Sequence, residues 1–313
     1  PETVVAKGRV GPGQIMVIDT ETGEVLHTKD IDNKLKTSKP YKRWLRDNAR
    51  HIEASYNTKV SAPIEGDELD IYQKMFQVSL DERDQVLKPL AESGNEAVGS
   101  MGDDTPMAVL SSRERSLYDF FRQKFAQVTN PPIDPLREAI VMSLEVDLGG
   151  EGNLFEETER HARRVSLTSP ILSQGKFESI LALNESGLKV QVIDATYDPE
   201  VTTLKIALET LCQEAAAHVT GGASVLVLSD RSIAEARIPI HSLLATGAVH
   251  HHLIAYGLRA DSNLIIETGS ARDSHQVACL LGFGATAIYP YLAYSVLTLS
   301  LIHISEPTRL GFI

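Results

Sequence analysis

The chain has 313 residues, of which 42% are hydrophobic and 23% are charged, the proportions of an ordinary globular protein. Its 42 acidic and 30 basic residues give a formal net charge of -12, which argues against nucleic acid or an anionic membrane surface as a partner. No apolar run approaches the roughly 20 residues that span a bilayer, and the two cysteines are too few for a disulfide framework, so we expect a cytoplasmic protein.

A β-hairpin is predicted near the beginning of the sequence. The apolar run Gln14–Asp19 precedes a turn at Thr20–Glu24, and Val25–Thr28 alternates as the return strand. A lone hairpin is only marginally stable in water, so we expect this one to belong to a larger sheet. The basic stretch 31–55 is predicted to be mainly helical, and the polar segment 56–69 to be a linker.

Two helices are predicted before residue 130. One runs from Ser79 to Ala91, with Ser79 as its N-cap and Glu82 three residues later, the pattern of a capping box. The other runs from about Ser112 to Val128, because helical spacing would place on one apolar face Leu117, Phe120, Phe121 and Phe125. The prolines that follow would end this second helix.

From residue 188 onward, apolar strands alternate with helices. Four strands are predicted, at 189–193, 224–228, 263–266 and 285–289. Helices are predicted between them at about 201–219, 240–256 and 273–281. Buried strands that alternate with helices form parallel β-α-β units, so the predicted fold class is α/β with a parallel sheet. Four strands are too few to close an eight-stranded barrel, and we expect an incomplete, barrel-like sheet.

Polar side chains follow these strands at their carboxyl ends, where parallel α/β sheets place functional groups. The candidate positions are Asp194, Asp230, Arg231, Glu267 and Arg272. One interpretation is that this rim faces a partner domain. The alternative is a set of local helix caps and ion pairs, such as Asp230 with Arg231.

Three consecutive histidines, His250–His252, suggest a metal site but lack the spacing for one. Neighbouring helical residues point about 100° apart, whereas metal-binding histidines on a helix are three or four residues apart. Cys212 and Cys279 lie in apolar helical patterns and are predicted to be buried, reduced thiols, and no motif places a nucleophile beside His275. Neither a dinucleotide fingerprint nor a P-loop occurs. We therefore predict no catalytic, cofactor-binding or metal-binding residue in this chain.

The residues Leu299–Arg309 break the preceding pattern. They neither complete a helix nor start a credible strand, and they resemble a translated adapter used in DNA library preparation. We therefore expect the native sequence to end near Leu297 and residues 299–313 to lack buried contacts. The alternative is a natural C-terminus of unusual sequence.

Several motifs resemble the large subunit of glutamate synthase. Lys7–Gly13, followed by Asp19 and Gly23, is similar to the closing hairpin of its class II glutaminase domain. Motifs similar to its central domain are Gly99–Pro106, Phe125–Pro135, Glu151–Leu154, Ser169–Leu172, Leu228–Arg231, Ala248–Ile254 and Gly282–Tyr291. The resemblance extends from residue 1 to about residue 297, and its details are most similar to the bacterial pyridine-nucleotide-dependent type.

The resemblance implies a division of the chain into four parts. Residues 1–55 would be the C-terminal remnant of a glutaminase domain of the Ntn-hydrolase type, and residues 56–72 a linker. Residues 73–297 would be the central domain, related to a TIM barrel, and residues 298–313 the adapter-derived tail.

The resemblance also implies a function. Family members hydrolyse glutamine at an N-terminal cysteine, channel the ammonia internally, and reduce the 2-iminoglutarate formed from 2-oxoglutarate at a flavin. Residue 1 here is proline, so we expect an inactive inter-domain spacer, with FMN and an iron–sulfur cluster in a missing C-terminal domain. The implied partners are the glutaminase and FMN-binding domains of the parent chain and a small NADPH-oxidising subunit. Two alternatives stay open: a standalone non-enzymatic interaction module, and a barrel-like flavin-binding oxidoreductase.

Overall fold

The computed structural model describes residues 3–4, 7–52, 64–97, 108–112, 114–122, 134–185 and 187–305, with the backbone alone for residues 184–185 and 300–305. The chain divides into two compact units, Pro1–Ala49 and Arg50–Ile313. Among the described residues, no helix is both long enough and apolar enough to cross a membrane.

The first unit contains the predicted hairpin, followed by two helices. Strands β1 (Met16–Ile18) and β2 (Val25–His27) pair antiparallel. The basic stretch forms α1 (Thr28–Thr37) and α2 (Tyr41–Asn48). The hairpin prediction is confirmed, and its first strand exposes the side chains of Met16, Val17 and Ile18.

The first half of the second unit is made of short elements. In chain order they are β3 (Arg50–His51), α3 (Gly66–Met75), α4 (Leu80–Glu82), α5 (Lys88–Ser93), α6 (Pro135–Val141), β4 (Val146–Leu148), β5 (Val165–Leu167) and α7 (Gln174–Leu181). Strands β3, β5 and β4 form a small sheet in that order, with β3 parallel and β4 antiparallel to β5. The sequence analysis does not predict β3, α3, α6, β4, β5 or α7. The linker predicted at 56–69 is wrong from Gly66 onward, because α3 begins there and buries Leu69 in the core, whereas residues 56–63 lie outside the described residues. The helical stretch predicted at 31–55 is wrong at Arg50–His51, which form β3.

The helix predicted at 79–91 is confirmed. A π-helical turn, Arg83–Leu87, joins α4 to α5 and keeps the region helical throughout. Ser79 is the N-cap, as predicted, because its hydroxyl accepts a hydrogen bond of 3.0 Å from the amide of Glu82. Gly94 ends the helix with φ at +67°, in the left-handed region that glycine adopts readily.

The helix predicted at about 112–128 is wrong over the described residues 114–122, here called the strap. The strap is non-helical except for one 3-10 turn, Leu117–Phe120. Tyr118 is fully buried, and Phe121 packs edge-on against Phe283 with ring centroids 5.1 Å apart. The apolar spacing therefore reflects separate contacts of the strap with the core, not one helical face. The remainder of that prediction, residues 123–128, lies outside the described residues.

The second half of this unit contains the main sheet. Its strands are β6 (Asn184–Glu185), β7 (Leu188–Asp194), β9 (Val225–Ser229), β11 (Asn263–Glu267) and β12 (Ala287–Tyr289), while β8 (Thr196–Tyr197) and β10 (Ile238–Pro239) form a separate two-stranded ribbon. The helices are α8 (Leu204–Thr220), α9 (Ser242–Ala255), α10 (Ser274–Gly282) and α11 (Tyr291–Ser305).

The main sheet has the order β12-β11-β9-β7-β6. The first four strands are parallel, and β6 is antiparallel to β7 at one edge. The four predicted strands and the three helices between them are confirmed, with ends that differ by at most a few residues. The fold is mixed α/β, and the parallel sheet is open.

Both faces of the parallel sheet are buried, as continuous apolar strands predict. On β9, Leu226 and Leu228 pack with α8, α9 and α10, whereas Val225 and Val227 pack with α3, α7 and α11. Helices α8, α9 and α10 connect successive parallel strands in one direction along the sheet, so right-handed crossovers place all three on the same face. Because the four strands are parallel, their carboxyl ends lie at the same end of the sheet, next to α11.

The structure corrects the expectation for the end of the sequence. Helix α11 continues past Leu297 as far as Ser305. Leu299 is partly buried against the core on the α3 and α11 face. The predicted absence of helix and of buried contacts is therefore wrong at this residue. The reason is local, since neither proline nor glycine interrupts the backbone hydrogen bonds between Tyr291 and Ser305.

Candidate functional site

The carboxyl ends of β9 and β11 place Asp230 at the centre of a buried polar cluster. Asp230 directly follows β9 and is 2% exposed. Its carboxylate accepts hydrogen bonds from the Thr268 hydroxyl at 2.5 Å, the Gly269 amide at 3.1 Å and the Tyr291 hydroxyl at 2.9 Å. One carboxylate thus ties the end of β9 to the loop after β11 and to the first residue of α11.

The environment of this carboxylate changes its ionisation. Burial raises the pKa of Asp230 to about 7, and the nearby charge of Glu267 acts in the same direction. The hydrogen bonds from Thr268, Tyr291 and Gly269 oppose burial by favouring the charged form. Asp230 therefore titrates near neutral pH, although its contacts are those of a structural group.

Glu267, the last residue of β11, is the second buried carboxylate of the cluster and is 7% exposed. It accepts a hydrogen bond of 2.7 Å from the Ser229 hydroxyl and one of 3.3 Å from Arg231 Nη1. The guanidinium of Arg231 also lies 5.1 Å from the centre of the Tyr291 ring, within cation–π range. Because the Arg231 side chain is 38% exposed, this ion pair reaches the surface on one side.

Arg272 joins the strand ends to α4. Its Nε and Nη2 donate to the two carboxylate oxygens of Glu82 at 2.6 and 3.1 Å, and its Nη1 donates to the carbonyl of Gly269 at 3.0 Å. The Arg272 side chain is only 8% exposed. This bidentate ion pair is therefore largely buried, and the loss of either partner would leave an unpaired charge in the interior.

Asp194, at the end of β7, lies apart from the buried cluster. It accepts hydrogen bonds from the amide and hydroxyl of Thr196 at 2.9 and 2.8 Å, and it pairs with Arg237 Nη2 at 2.7 Å. The Asp194 side chain is 41% exposed. The structure thus separates the predicted rim into an exposed pair, Asp194 with Arg237, and a buried cluster around Asp230.

A chain of hydroxyl groups extends the buried cluster toward the strap. Thr268 Oγ1 lies 2.9 Å from Ser270 Oγ, which in turn lies 2.6 Å from Ser242 Oγ and 3.1 Å from the Tyr118 hydroxyl. Burial raises the pKa of Tyr118 to about 12, so this chain stays neutral at physiological pH. Each hydroxyl can both donate and accept, and together they connect β11, α9 and the strap.

Aromatic side chains fill the space beside the strand ends. Tyr72 and Phe76, at the end of α3, pack edge-on against Tyr291 with ring centroids 5.9 and 6.4 Å apart. The Tyr72 hydroxyl donates to the carbonyl of Arg231 at 2.6 Å. The Phe76 ring lies so near Gly269 that a Cβ at this glycine would come within 2.6 Å of the ring. Only glycine fits at this position with Phe76 in place.

The residues at these strand ends do not fit a bound flavin. A flavin needs open space and free polar partners, but aromatic rings fill the space, and Arg231 and Arg272 pair with carboxylates. Within the described part of the chain, no buried side-chain nitrogen or oxygen lacks a hydrogen-bond partner. The described residues also contain no group of three or more His, Cys, Asp or Glu side chains that could hold a metal ion.

The histidines outside the rim make structural contacts. His250 Nδ1 accepts a hydrogen bond of 3.0 Å from Arg259 Nε. His275 Nε2 lies 3.0 Å from the carbonyl oxygen of Tyr118. Burial, with the charge of Arg272 nearby, lowers the pKa of His241 to about 4, so this N-cap of α9 is neutral.

Sequence reasoning missed the partners of the rim residues. Glu82 is 190 residues from Arg272, and Tyr72 is 159 residues from Arg231. Arg237 is 43 residues from Asp194. Local patterns carry no signal for pairs at these separations, and only an alignment of related sequences could have supplied one.

Two family models match the sequence. The model described as the glutamate synthase central domain matches residues 71–306, and the model described as class-II glutamine amidotransferases matches residues 1–44.

Curated glutamate synthases from several lineages are similar to the chain. The chloroplastic ferredoxin-dependent enzyme of Oryza sativa subsp. japonica is 42% identical over 93% of this chain and 18% of its own length. The NADPH large chain of Bacillus subtilis is 38% identical over 94% of this chain and 19% of its own. The NADH enzyme of Schizosaccharomyces pombe is 37% identical over 95% of this chain and 15% of its own length. The chain therefore spans less than a fifth of each relative, and these identities do not favour the bacterial NADPH type.

Proposed function

The chain belongs to the glutamate synthase family, since the central-domain model matches 236 of its 313 residues (71–306), and we propose that its parent protein makes glutamate from glutamine and 2-oxoglutarate. In this proposal the parent hydrolyses glutamine in one domain, channels the ammonia, and uses it for reductive amination in another. The part described here is the spacer between those domains and performs no chemistry alone.

The state of the strand ends carries the spacer proposal. Parallel sheets offer polar residues at this edge for catalysis, yet here Asp230, Glu267 and Arg272 are bonded to other parts of the same unit. The aromatic rings of Tyr72, Phe76 and Tyr291 occupy the space that a substrate would need. The edge therefore has the properties of a structural joint.

The proposed organisation follows the family. We assign residues 1–55 to the end of a glutaminase domain of the Ntn-hydrolase type, 56–72 to a linker, and 73–297 to a central domain whose parallel sheet is an arc of a barrel. The compact units divide earlier, after Ala49, and both β3 and α3 belong to the second unit. The match of an amidotransferase model to residues 1–44 supports the first assignment. The placement of α8, α9 and α10 on one face supports the barrel relation, because barrel helices lie outside, whereas the packing of α3, α7 and α11 on the other face is not a barrel feature. We still propose that residues 298–313 are an adapter-derived tail, against which stand the continuation of α11 to Ser305 and the match of the central-domain model as far as residue 306.

We assign the cofactors and the other partners to the rest of the parent. FMN and an iron–sulfur cluster belong to a domain outside this chain, which agrees with the poor fit of a flavin at the described strand ends. A small NADPH-oxidising subunit is the proposed external partner, and the cytoplasm is the proposed compartment. Both cysteines are free thiols, with Cys212 buried and Cys279 only partly buried, and free thiols agree with a reducing compartment.

The five predicted rim residues are proposed to support an interface with a partner domain. Asp194 and Arg231 are accessible and would contact that domain directly. Asp230, Glu267 and Arg272 are buried or nearly so, and they would act by holding the accessible residues in place.

The spacer proposal is tested first on the purified 313-residue chain. We expect neither glutaminase activity nor glutamate formation from ammonia and 2-oxoglutarate, and no flavin absorbance in the protein fraction after incubation with FMN and removal of the unbound FMN. Stoichiometric flavin binding would favour a flavin-dependent oxidoreductase. Stable capture of a protein other than the flanking glutamate synthase domains would favour an interaction module.

The interface is tested in an intact glutamate synthase that contains this sequence. Asp194→Ala and Arg231→Ala should raise the ratio of glutamine hydrolysed to glutamate formed, because partner domains that dock poorly lose ammonia. Glu209→Ala, which removes an exposed charge from α8, is the matched control. An unchanged ratio in both rim variants would remove the interface role.

A further inference from the structure

A cleft of about 310 Å³ lies at the opposite end of the main sheet, beside the amino ends of β7, β9 and β11. Its wall includes three glycines, which lack side chains that would cover the backbone: Gly150, Gly187 and Gly222. The charged residues that line it are Arg160, Arg163 and Asp261. None of these residues belongs to the strand-end cluster or to the predicted rim.

Local backbone structure brings the two arginines to the same wall. The 3-10 turn Glu159–Ala162 precedes Arg163, whose amide donates to the carbonyl of Arg160 at 3.1 Å. Residues three apart in such a turn lie nearly above one another. The two positive side chains therefore project from neighbouring positions into one cleft.

The charges in the cleft are not balanced. Arg160 Nη2 pairs with Asp261 at 2.8 Å, whereas Arg163 makes no ion pair or side-chain hydrogen bond with any described residue. Two arginines and one aspartate give the lining a net charge of +1, in a chain with a formal net charge of -12. Arg163 is also partly buried. A half-buried guanidinium beside a second one is stabilised by an anion between them.

We propose that this cleft binds a small oxyanion, held by Arg163 and Arg160. Planar guanidinium groups match the paired oxygens of phosphate and carboxylate groups. The glycines allow such a group to approach the backbone closely. The volume lies at the lower end of the range for small-molecule sites, which suits a phosphate-bearing or dicarboxylate metabolite.

The end of α8 gives the arginines a competing role. Val219 and Thr220, in its last turn, also line the cleft, and the C-terminus of a helix attracts cations. The last carbonyls of α8 already accept hydrogen bonds from backbone amides, those of Gly221, Gly222 and Ala223. A purely structural role for Arg163 predicts a loss of stability that does not depend on anions.

Phosphate binding to the full 313-residue chain distinguishes the two roles. Isothermal titration calorimetry at constant ionic strength, with chloride as the reference anion, should give a dissociation constant in the millimolar range. Arg163→Gln should weaken binding at least about tenfold. Arg137→Gln, which removes an exposed positive charge from α6, is the control and should bind as the wild type does.

Thermal unfolding gives a second readout, because a ligand stabilises only the state that binds it. Phosphate also stabilises proteins without a specific site, so the difference between the wild type and Arg163→Gln is the informative quantity. Equal shifts in the two proteins overturn the proposal. If Arg163→Gln does not fold, Arg163→Lys replaces it and should bind phosphate more weakly than the wild type.

Succinate in place of phosphate identifies the anion class. Tighter binding of succinate assigns the cleft to dicarboxylates, and tighter binding of phosphate assigns it to phosphorylated ligands. Binding of neither anion to the folded wild-type chain overturns the proposal whatever the variants do.

Discussion

Replacement of Asp230 tests whether one buried carboxylate sets how the free energy of unfolding depends on pH. Its ordinary pKa of 3.8 applies to the unfolded chain, and burial raises the pKa of Asp230 to about 7 in the fold. The fold therefore holds this proton more tightly than the unfolded chain does. The resulting stabilisation is complete below pH 4 and is lost as the pH rises through 7. The difference between the two pKa values, 3.8 and about 7, corresponds to about 4 kcal/mol in the free energy of unfolding.

Asp230→Asn removes the titration but can keep the hydrogen bonds. Its amide oxygen can accept from Gly269 and Tyr291, which both bond to Oδ1, and its amide nitrogen can donate to Thr268. Between pH 5 and pH 8 the wild type should lose about 3 kcal/mol relative to this variant. Asp230→Ala leaves the donors of Gly269 and Tyr291 unpaired, which costs about 1–3 kcal/mol for each.

Urea unfolding at both pH values, followed by far-ultraviolet circular dichroism, measures these differences. Tryptophan fluorescence is unsuitable, because the single tryptophan, Trp44, lies in the first unit. The m-value should be the same in all proteins, so that midpoints report stability. Asp70→Asn, at an exposed position on α3, is the control and should keep the pH dependence of the wild type. The role of Asp230 is refuted if Asp230→Asn shows the same pH dependence of stability as the wild type. It is also refuted if Asp230→Ala and Asp230→Asn are equally stable.

Two further substitutions, measured by the same urea assay, test backbone strain and core packing. Gly284 has φ at +110°, and a Cβ there would clash with the His250 ring, so Gly284→Ala should cost about 2–4 kcal/mol. Gly282→Ala meets no atom within 4 Å and should stay within about 1 kcal/mol of the wild type; equal costs would contradict the strain assignment. Leu226→Ala, in the buried central strand, should cost about 2–5 kcal/mol, and a loss under 1 kcal/mol would contradict its core position. Leu136→Ala, at an 85% exposed position, should change stability by less than about 0.5 kcal/mol.

The main sheet was predictable because its signal is local and repeated. Each of the four parallel strands is an uninterrupted apolar run, and each helix between them has its own periodicity. The small sheet lacks such a signal. Strand β5 is three residues long, and it pairs in parallel with β3, more than a hundred residues earlier in the chain. Its conformation depends on contacts between distant segments, which periodicity does not record.

The strap shows why apolar spacing alone can mislead. Tyr118 and Phe121 are three residues apart, which suits a helical face equally well. In the structure Tyr118 bonds to Ser242 and Phe121 packs on Phe283, so each residue has its own partner. Tertiary contacts outweigh the helical preference of a short segment, which is worth only a fraction of 1 kcal/mol per residue.

The candidate site was predictable in position but not in pairing. Parallel register places Asp194 level with Ser229, and Ser229 level with Glu267, so the topology alone collects these residues at one edge. It does not specify which charge meets which. The sequence suggested one rim that contains both Asp194 and Arg231. In the structure Asp194 forms an ion pair with Arg237, whereas Arg231 forms one with Glu267.

The polar side chains at the strand ends connect helices to the sheet. At an active edge, polar side chains must keep hydrogen-bonding capacity for a substrate, at a cost to stability. Here that capacity is used within the unit: Asp230 binds α11 through Tyr291, and Arg272 binds α4 through Glu82. Gly269 then leaves room for Phe76 of the α3 end. The residue types that suit a catalytic edge thus hold three helices to one sheet, which is the arrangement that the proposed spacer role requires.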